Sequence, residues 1–305
     1  MSSGPTVADA AGASAFRCGY VAIVGRPNVG KSTLLNRLVG EKVSITSKKA
    51  QTTRHRVTGI LTAADAQYIF VDTPGFQTRH RSRLNERMNR AVTQSLGDVD
   101  AVVVVLEAGR TTAADREVVA LLPPGARVVA ALNKIDRLAS QDALLPQMAE
   151  LAPLYPLAAI VPVSAEKERG LDALRGALRG LLPEGAPMFG ADEITDRDER
   201  FLAAEFIREK IFRLLGEEVP YATTVAIDRF VEEDKVRRIH ATVYVDRENQ
   251  KAILLGAGGA QMKEIATRAR ADMERMFGGP VFLEVWVRVK RGWADDDRLL
   301  TRFGY

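Results

Sequence analysis

A parallel α/β sheet covered by helices, followed by a smaller α+β unit, is the architecture that this 305-residue sequence predicts. Three observations carry it. Five apolar runs rich in β-branched residues occupy the first half of the chain without in/out alternation. Helical stretches separate them. Beyond residue 198 the order changes to helix, strand, strand, helix, helix, strand. Strands buried on both faces need continuous apolarity, and a strand–helix–strand repeat closes as a parallel sheet.

The five runs are "YVAIV" (20–24), "YIFV" (68–71), "AVVVVL" (101–106), "VVAAL" (128–132) and "AIVPV" (159–163). Helices are expected over 81–96 and 112–122, and "RHRVTGILTA" (54–63), which partly alternates, is expected to add an antiparallel edge strand. "LLPEGAPMFGADEITDRD" (181–198) mixes Pro, Gly and acidic residues without an apolar period, as a domain end and linker do. Next, "DERFLAAEFIREKIFRLL" (198–215) sets Phe201, Ala204, Ile207, Ile211, Leu214 and Leu215 on one helical face. Strands near 222–231 and 236–246 follow, then a short helix to "GAGG" (256–259), a longer helix over about 260–277, and the alternating strand "VFLEVWVRVK" (281–290). The expected division is a disordered arm over 1–16, a first domain over 17–184, a linker over 185–198 and a second domain over 199–305.

Composition narrows the class. The chain is 46% hydrophobic and 27% charged, an ordinary globular balance with material for two cores. A formal net charge of +4 favours polyanionic partners. Cys18 is the single cysteine, which excludes an internal disulfide or cysteine-rich zinc site and fits a reducing cytoplasm. The first 16 residues lack the basic start and apolar core of a signal peptide, and no apolar run reaches the ~18 residues of a spanning helix.

The loop after the first run, "GRPNVGKS" (Gly25, Arg26, Pro27, Asn28, Val29, Gly30, Lys31, Ser32), fits G-x-x-x-x-G-K-[ST] between a strand and a helix. Backbone N–H groups at a helix start wrap a phosphate, Lys31 reaches β/γ-phosphate oxygens, and the Ser32 hydroxyl suits Mg²⁺. The second run ends in "DTPG" (Asp72, Thr73, Pro74, Gly75) followed by Phe76. That puts the Asp72 carboxylate where it can hold Mg²⁺ through water and the Gly75 N–H where it can sense a γ-phosphate. "NKID" (Asn133, Lys134, Ile135, Asp136) selects the base, because a carboxylate accepts from guanine N1–H and the 2-amino group and adenine offers neither. Ser164 and Ala165, after the fifth run, are placed to offer a backbone N–H to the guanine oxygen. Four such loops in this order define a GTP-binding, P-loop-type domain.

The position after DxxG, where Ras-type hydrolysis uses a water-orienting Gln, holds Phe76, so slow intrinsic turnover is expected. Lys31, Asn28, Thr53 and Gly75 are the residues expected to carry hydrolysis. Thr53 is the candidate switch threonine for the metal, with Thr52 as competitor. Asn28 resembles the asparagine of GTPases that recruit K⁺ in place of an arginine finger. Arg79, His80, Arg81, Arg83, Arg87 and Arg90 form either a solvated helix face or a nucleotide-sensitive polyanion contact.

In the second unit, "GAGG" (Gly256, Ala257, Gly258, Gly259) between two helices lets a single-stranded RNA backbone lie close. Lys263, Lys251, Arg268, Arg288 and Lys290 stand near it in sequence. From about residue 17 onward the chain resembles the Era family of bacterial ribosome-assembly GTPases. The resemblance rests on "GRPNVGKST", "ITSKKAQTTRHR", "DTPG", "NKID", "VPVSAEKERG", "EEVPYATTV", "DRENQKAILLGAGGAQMKEI" and "LEVWVRVKRGWADDD". It implies a guanine-nucleotide domain and a type II KH domain that binds the 3′ end of small-subunit ribosomal RNA during small-subunit maturation. It also implies peripheral association with the inner membrane. The Phe76 position is then a family trait. A monomer in the cytoplasm is expected. Relatives usually carry a basic residue inside the G-x-x-G turn where this chain has Ala257 and Gly258, which predicts a shallower salt dependence of RNA binding. The alternative to a GTPase switch is an RNA-binding assembly chaperone whose GTP site turns over too slowly to matter.

Overall fold

The apolar runs become strands because helices cover both of their faces. In the computed structural model, which describes residues 15–76, 82–216 and 218–305, the first unit consists of β1 (Arg17–Val24), α1 (Lys31–Val39), β2 (Val57–Thr62), β3 (Ala66–Asp72), α2 (Arg83–Gly97), β4 (Ala101–Glu107), α3 (Ala113–Ala120), β5 (Val128–Asn133), α4 (Leu144–Leu151), β6 (Leu157–Val163) and α5 (Leu171–Arg179). Its six strands lie in the order β2-β3-β1-β4-β5-β6. Only β2, on the edge, runs antiparallel, pairing Val57 with Asp72 and Thr62 with Gln67.

Two apolar layers hold this sheet. Val21, Ile23, Phe70 and Val103 face α1 and α5; Ala22, Val24, Val102 and Val104 face the side of α2, α3 and α4. Cys18 is buried near the start of β1, its thiol 3.5 Å from Gln67 Oε1. From β1 the chain crosses to β3, and from β3 it crosses back past β1 to β4. The carboxyl ends of β1 and β3 therefore flank the topological switch point, where α/β sheets open a crevice.

A second unit contains α6 (Glu199–Leu214), β7 (Thr223–Glu233), β8 (Val236–Val245), α7 (Glu248–Leu255), α8 (Ala260–Phe277), β9 (Val281–Val289) and α9 (Asp297–Arg302). Its sheet order is β7-β8-β9, with β7 antiparallel and β9 parallel to β8. Ile207, Ile211, Ile239, Val243, Ile265 and Met273 form its core.

Two features add to the sequence reading. First, residues 185–198, the expected linker, are fastened along the edge of the first sheet. Ile60 N donates to Ile194 O (2.9 Å), Thr195 Oγ1 donates to Thr58 O (2.6 Å), and Gln67 Oε1 accepts from the backbone N–H groups of Met188 and Phe189. An edge strand offers unpaired backbone groups, and this segment takes them.

Second, α6 is not one-sided. Besides Ile207 and Ile211 it buries Glu205, Arg208, Glu209 and Lys210, because its polar side faces the first unit. Arg208 holds Glu205 through two bonds (2.7 and 2.6 Å), while Glu209 takes Lys42 Nζ (2.5 Å), Lys210 Nζ (2.8 Å) and the Thr46 N–H (3.0 Å). Burial opposes ionisation of Glu209, but Lys42 and these donors hold its carboxyl below the usual carboxylate range.

Beyond β9 the chain runs back onto the first unit. Trp293 and Leu300 pack on Leu84 and Met88 of α2. Arg83 pairs with Asp297; Arg87 Nη2 lies 3.0 Å from Asp297 Oδ1, and its Nη1 donates to the Tyr305 carbonyl at 2.7 Å. A carboxylate of the same chain thus pairs with both arginines, while Arg83 and Arg90 stay exposed on the helix, as a solvated face requires. Arg79, His80 and Arg81 lie outside the described residues.

Candidate functional site

Parallel strands bring their following loops to one edge, and the phosphate-type loop leaves β1 at the centre of it. No acidic side chain occupies the first turn of α1 and no side chain caps it, so its N–H groups and dipole face the loop unneutralised. Gly30 has φ 102°, and a Cβ there would lie 2.3 Å from Asn133 Nδ2, so only glycine fits. Asn133 explains the closeness: its Nδ2 donates to Val29 O (2.8 Å), and its Oδ1 accepts from the N–H groups of Lys134 (2.9 Å) and Ala165 (3.0 Å). One buried amide therefore joins three of the four loops.

Lys31 is buried, with Nζ 3.0 Å from Gly25 O and 3.2 Å from Arg26 O. Burial lowers its pKa to about 8, against the pull of Asp72. Ser32 Oγ donates to Asp72 Oδ2 (2.6 Å) and lies 2.7 Å from Thr53 Oγ1, which is 3.3 Å from the same carboxylate oxygen. Ser44 Oγ adds a bond to it at 2.9 Å. Asp72 Oδ1 is buried with no partner among the described residues, and burial pushes this carboxyl up despite Lys31 and the hydroxyl donors. A carboxylate and two hydroxyls at hydrogen-bonding spacing, with a carboxylate oxygen unspent, suit a small hard cation such as Mg²⁺. Thr52 is turned elsewhere, to Ser47 Oγ (2.8 Å) and Lys49 O (2.8 Å).

Of the remaining expected residues, some line the cleft and others frame it. Asp136 faces the cleft with Asn28, Gly30, Lys134 and Ala165. The Ser164 hydroxyl bonds Asp136 Oδ1 and is the main cause of the carboxyl's lowered pKa, which keeps it ionised as a guanine acceptor must be. The Ala165 N–H, expected to aim at a guanine oxygen, is spent here on Asn133. Lys134 Nζ bonds Asn28 O (2.8 Å) and lies 3.3 Å from Glu107. Arg26 turns away from the cleft, to Glu107 (2.6 Å) and Asp115 (3.1 Å), the latter also completing the capping box of α3 with Thr112.

Val29 is buried, and Thr73 Oγ1 donates to Ile23 O (2.9 Å). Pro74 is buried as well, and Pro27 lies against Gly75, where a Cβ would come within 3.0 Å of the proline ring. Ile135 and Phe76 pack on the apolar layer of Leu96 and Leu106, so the Phe76 ring serves the core. Sequence reading missed Ser44, which bonds Asp72, and Thr46, Lys49 and Arg213, which line the cleft. Arg213 comes from α6 of the second unit and donates to Thr46 O (2.9 Å) and Oγ1 (2.7 Å). No motif marks these, because the fold alone brings them in.

Next to Thr53, Arg54 is 3% exposed and reaches into the second unit. It donates to the carbonyls of Thr223 (2.7 Å), Pro220 (3.0 Å) and Tyr221 (3.1 Å), with its guanidinium over the rings of Phe212 and Trp293. His55 stacks on Tyr305 at 4.4 Å.

The Gly-rich turn, Gly256–Gly259, joins α7 to α8 with Gly256, Gly258 and Gly259 at φ 70°, 56° and 80°. Ala257 is exposed in it, and Lys263 is exposed on α8. Lys251 is half-buried midway along α7, and Arg268 pairs with Glu264 at 2.6 Å. Arg288 and Lys290 lie at the end of β9, where the Lys290 N–H donates to Val245 O just before α7 begins. They are thus ~12 Å along the helix from the turn. The basic residues are therefore spread over α7, α8 and the end of β9 instead of clustering at the turn.

The sheet, its phosphate-type loop and the Asp136 carboxylate in the same cleft define a P-loop GTPase joined to a KH-like unit. Residues 20–134 match the family described as 50S ribosome-binding GTPase, and residues 218–294 match the KH domain family. The GTPase Era of Nitrosomonas eutropha is 57% identical over 96% of this chain and 99% of its own length. That of Chromobacterium violaceum is 55% identical over 95% and 98%. A crystal structure of a point variant of Aquifex aeolicus Era bound to GDP and AlF₄⁻ superposes with a TM-score of 0.92 at 41% identity, covering 95% of this chain and 99% of that one. An Era complex with MgGDPNP and nucleotides 1506–1542 of 16S ribosomal RNA matches with the same TM-score, identity and coverage. The chain belongs to the Era family of GTPases.

Phosphate oxygens beside Lys31 restore its proton affinity, so nucleotide binding above pH 8 takes up a proton. GTP affinity is expected to be flat below pH 8 and about tenfold lower at pH 9 than at pH 7. Fluorescent-nucleotide titrations over that range check this; a flat profile contradicts the buried-lysine account.

Proposed function

We propose that the chain is a GTP-hydrolysing switch that binds the 3′ end of small-subunit ribosomal RNA through its second unit and assists small-subunit maturation. The division proposed is a GTP-binding domain over 17–184, a linker over 185–198 and a type II KH domain over 199–305. The observation that carries the reading is the gathering of Lys31, Ser32, Thr53 and Asp72 at one sheet edge, with Thr53 followed directly by the Arg54 anchor in the second unit. One family description names the large subunit. The relative whose complex holds 16S RNA is alike over nearly the whole chain, and it supports the small subunit.

Each residue's part follows from its position. The N–H groups from Gly30 onward and the Lys31 ammonium take the β- and γ-phosphates; Asp136 and Asn133 take the guanine. Ser32 and Thr53, with Asp72 through water, would hold Mg²⁺, which supplies charge neutralisation at the phosphates. Gly75 packs against Pro27 of the phosphate loop, and its N–H would take the γ-phosphate. Phe76 is committed to the core and cannot orient water, so the attacking water must be held by other groups and turnover is slow.

Because Thr53 and Arg54 are consecutive, a nucleotide that re-seats Thr53 pulls on the carbonyls of residues 220–223. That supports control of the RNA domain by the γ-phosphate. Among the described residues no helix is long and apolar enough to cross a membrane. A cytoplasmic monomer with peripheral contact at the inner membrane face completes the proposal, on the strength of the family resemblance.

Filter binding of RNA ending in the small-subunit 3′ sequence tests the switch. Affinity is expected to be at least tenfold higher with a non-hydrolysable GTP analogue than with GDP, a coupling of ~1.4 kcal/mol; equal affinities reject it. Asn28, at φ 65° in the phosphate-type loop, is the proposed K⁺ ligand. Single-turnover hydrolysis should therefore be faster in KCl than in NaCl of equal strength, and equal rates remove the ion.

A further inference from the structure

Strand β9 alternates. Val281, Leu283, Val285, Val287 and Val289 pack into the core of the second unit, so Phe282, Glu284, Trp286, Arg288 and Lys290 point to the other side of the sheet. Among the described residues, the helices packed on β9, α7 and α8, lie on its inner side. Phe282 is 46% exposed and Trp286 56%, two large rings on one strand face. Opposite Trp286 on β8 stands Thr242, whose hydroxyl is held by Asp228 at 2.6 Å, so its small side chain leaves the indole uncovered. Opposite Phe282 stands Arg238, its guanidinium 5.5 Å from the ring centre.

The charges on this face sort cleanly. Glu233 takes Arg229 (2.9 Å) and Arg238 (3.0 Å), and Glu284 lies 3.0 Å from His240. Arg288 and Lys290 are exposed and have no ion-pair partner among the described residues. Uncovered aromatic faces beside unspent cations fit a polyanion whose monomers carry π-faces. Every base can stack on a ring, and its phosphates need the cations. A protein helix would call for continuous apolar surface, and Glu284 interrupts it. Alternate side chains stand ~7 Å apart along the strand, a repeat that an extended nucleic-acid strand can follow.

The inner side of this same edge strand packs against α7 and α8, the helices that carry the Gly-rich turn. We propose that the outer face of β9 is a second single-stranded RNA contact, where bases stack on Trp286 and Phe282 and phosphates meet Arg288 and Lys290. It extends the track of a strand held at Gly256–Gly259, and so rests on the RNA-binding reading above.

Two RNAs and three variants of the full chain, with GTP analogue bound, test it. One RNA is about five nucleotides long, little more than the four that a KH turn clamps; the other continues for about ten more. Trp286→Ala is expected to weaken the long RNA by about 5- to 100-fold and leave the short one unchanged. Trp286→Phe should keep most of the affinity. Lys263→Ala should weaken both RNAs. Trp293 is 1% exposed, so the long RNA should quench mainly the emission of Trp286, and Trp286→Ala should abolish the quenching. A long RNA that binds Trp286→Ala as tightly as the unaltered chain, without quenching in either, overturns this inference alone and leaves the face to a protein partner. Failure of both RNAs to bind the unaltered chain overturns the RNA-binding reading and this inference with it.

Discussion

One peptide bond ties the two halves of this protein together. Thr53 places its hydroxyl on the oxygens of Ser32 and Asp72, while the very next side chain, Arg54, is buried among the carbonyls of Pro220, Tyr221 and Thr223. Consecutive residues of a strand-like segment cannot relocate independently, because the backbone between them has only two soft dihedrals per residue. Whatever pulls Thr53 toward a metal and a γ-phosphate therefore acts on the second unit. The guanidinium suits this part: planar and always charged, it donates to three carbonyls and still stacks between Phe212 and Trp293.

Much of the remaining contact between the units is polar. Lys42, Glu209, Lys210 and Asp272 build a largely buried ion network, and Arg213 fastens Thr46 from the helix that carries Glu209. Buried ion pairs add little net stability after desolvation, yet they punish misalignment severely, since a charge left unpaired is costly. The joint is thus specific in register without being a fused hydrophobic core. The apolar patch of Leu84, Met88, Trp293 and Leu300 is small and sits on α2, the helix that follows the DTPG loop. The segments that follow Thr53 and the DTPG loop therefore both bear on the C-terminal end of the chain.

Much of this was legible in the residues, and the boundary of legibility is physical. The strands and their loops could be read because buried parallel strands and phosphate loops are local patterns, and Asn133, Lys31 and Asp72 announce themselves at strand ends. Arg54 could not be read: its partners lie more than 160 residues away, and nothing in "TTRHR" distinguishes a buried arginine from a solvated one. For the same reason α6 looked one-sided, since its charged face is buried only once the first unit packs against it. Arg83 and Arg87 could be read either as a solvated face or as a polyanion contact, and their pairing with Asp297, from the far end of the chain, had no local signal. Ser44 carries no motif, and its bond to Asp72 follows from the path of the loop. Domain limits and the duties of individual site residues rest on this geometry together with the family resemblance.

The most direct measurement of the central claim is hydrogen–deuterium exchange of the amides in residues 219–224 and 297–305, with GDP and with a GTP analogue, in the unaltered chain and in Arg54→Met. If the Thr53–Arg54 linkage transmits nucleotide state, those amides change protection between the two nucleotides in the unaltered chain, and the difference disappears in the variant while the phosphate loop still responds. Identical protection with both nucleotides, or a difference that survives loss of Arg54, would contradict it.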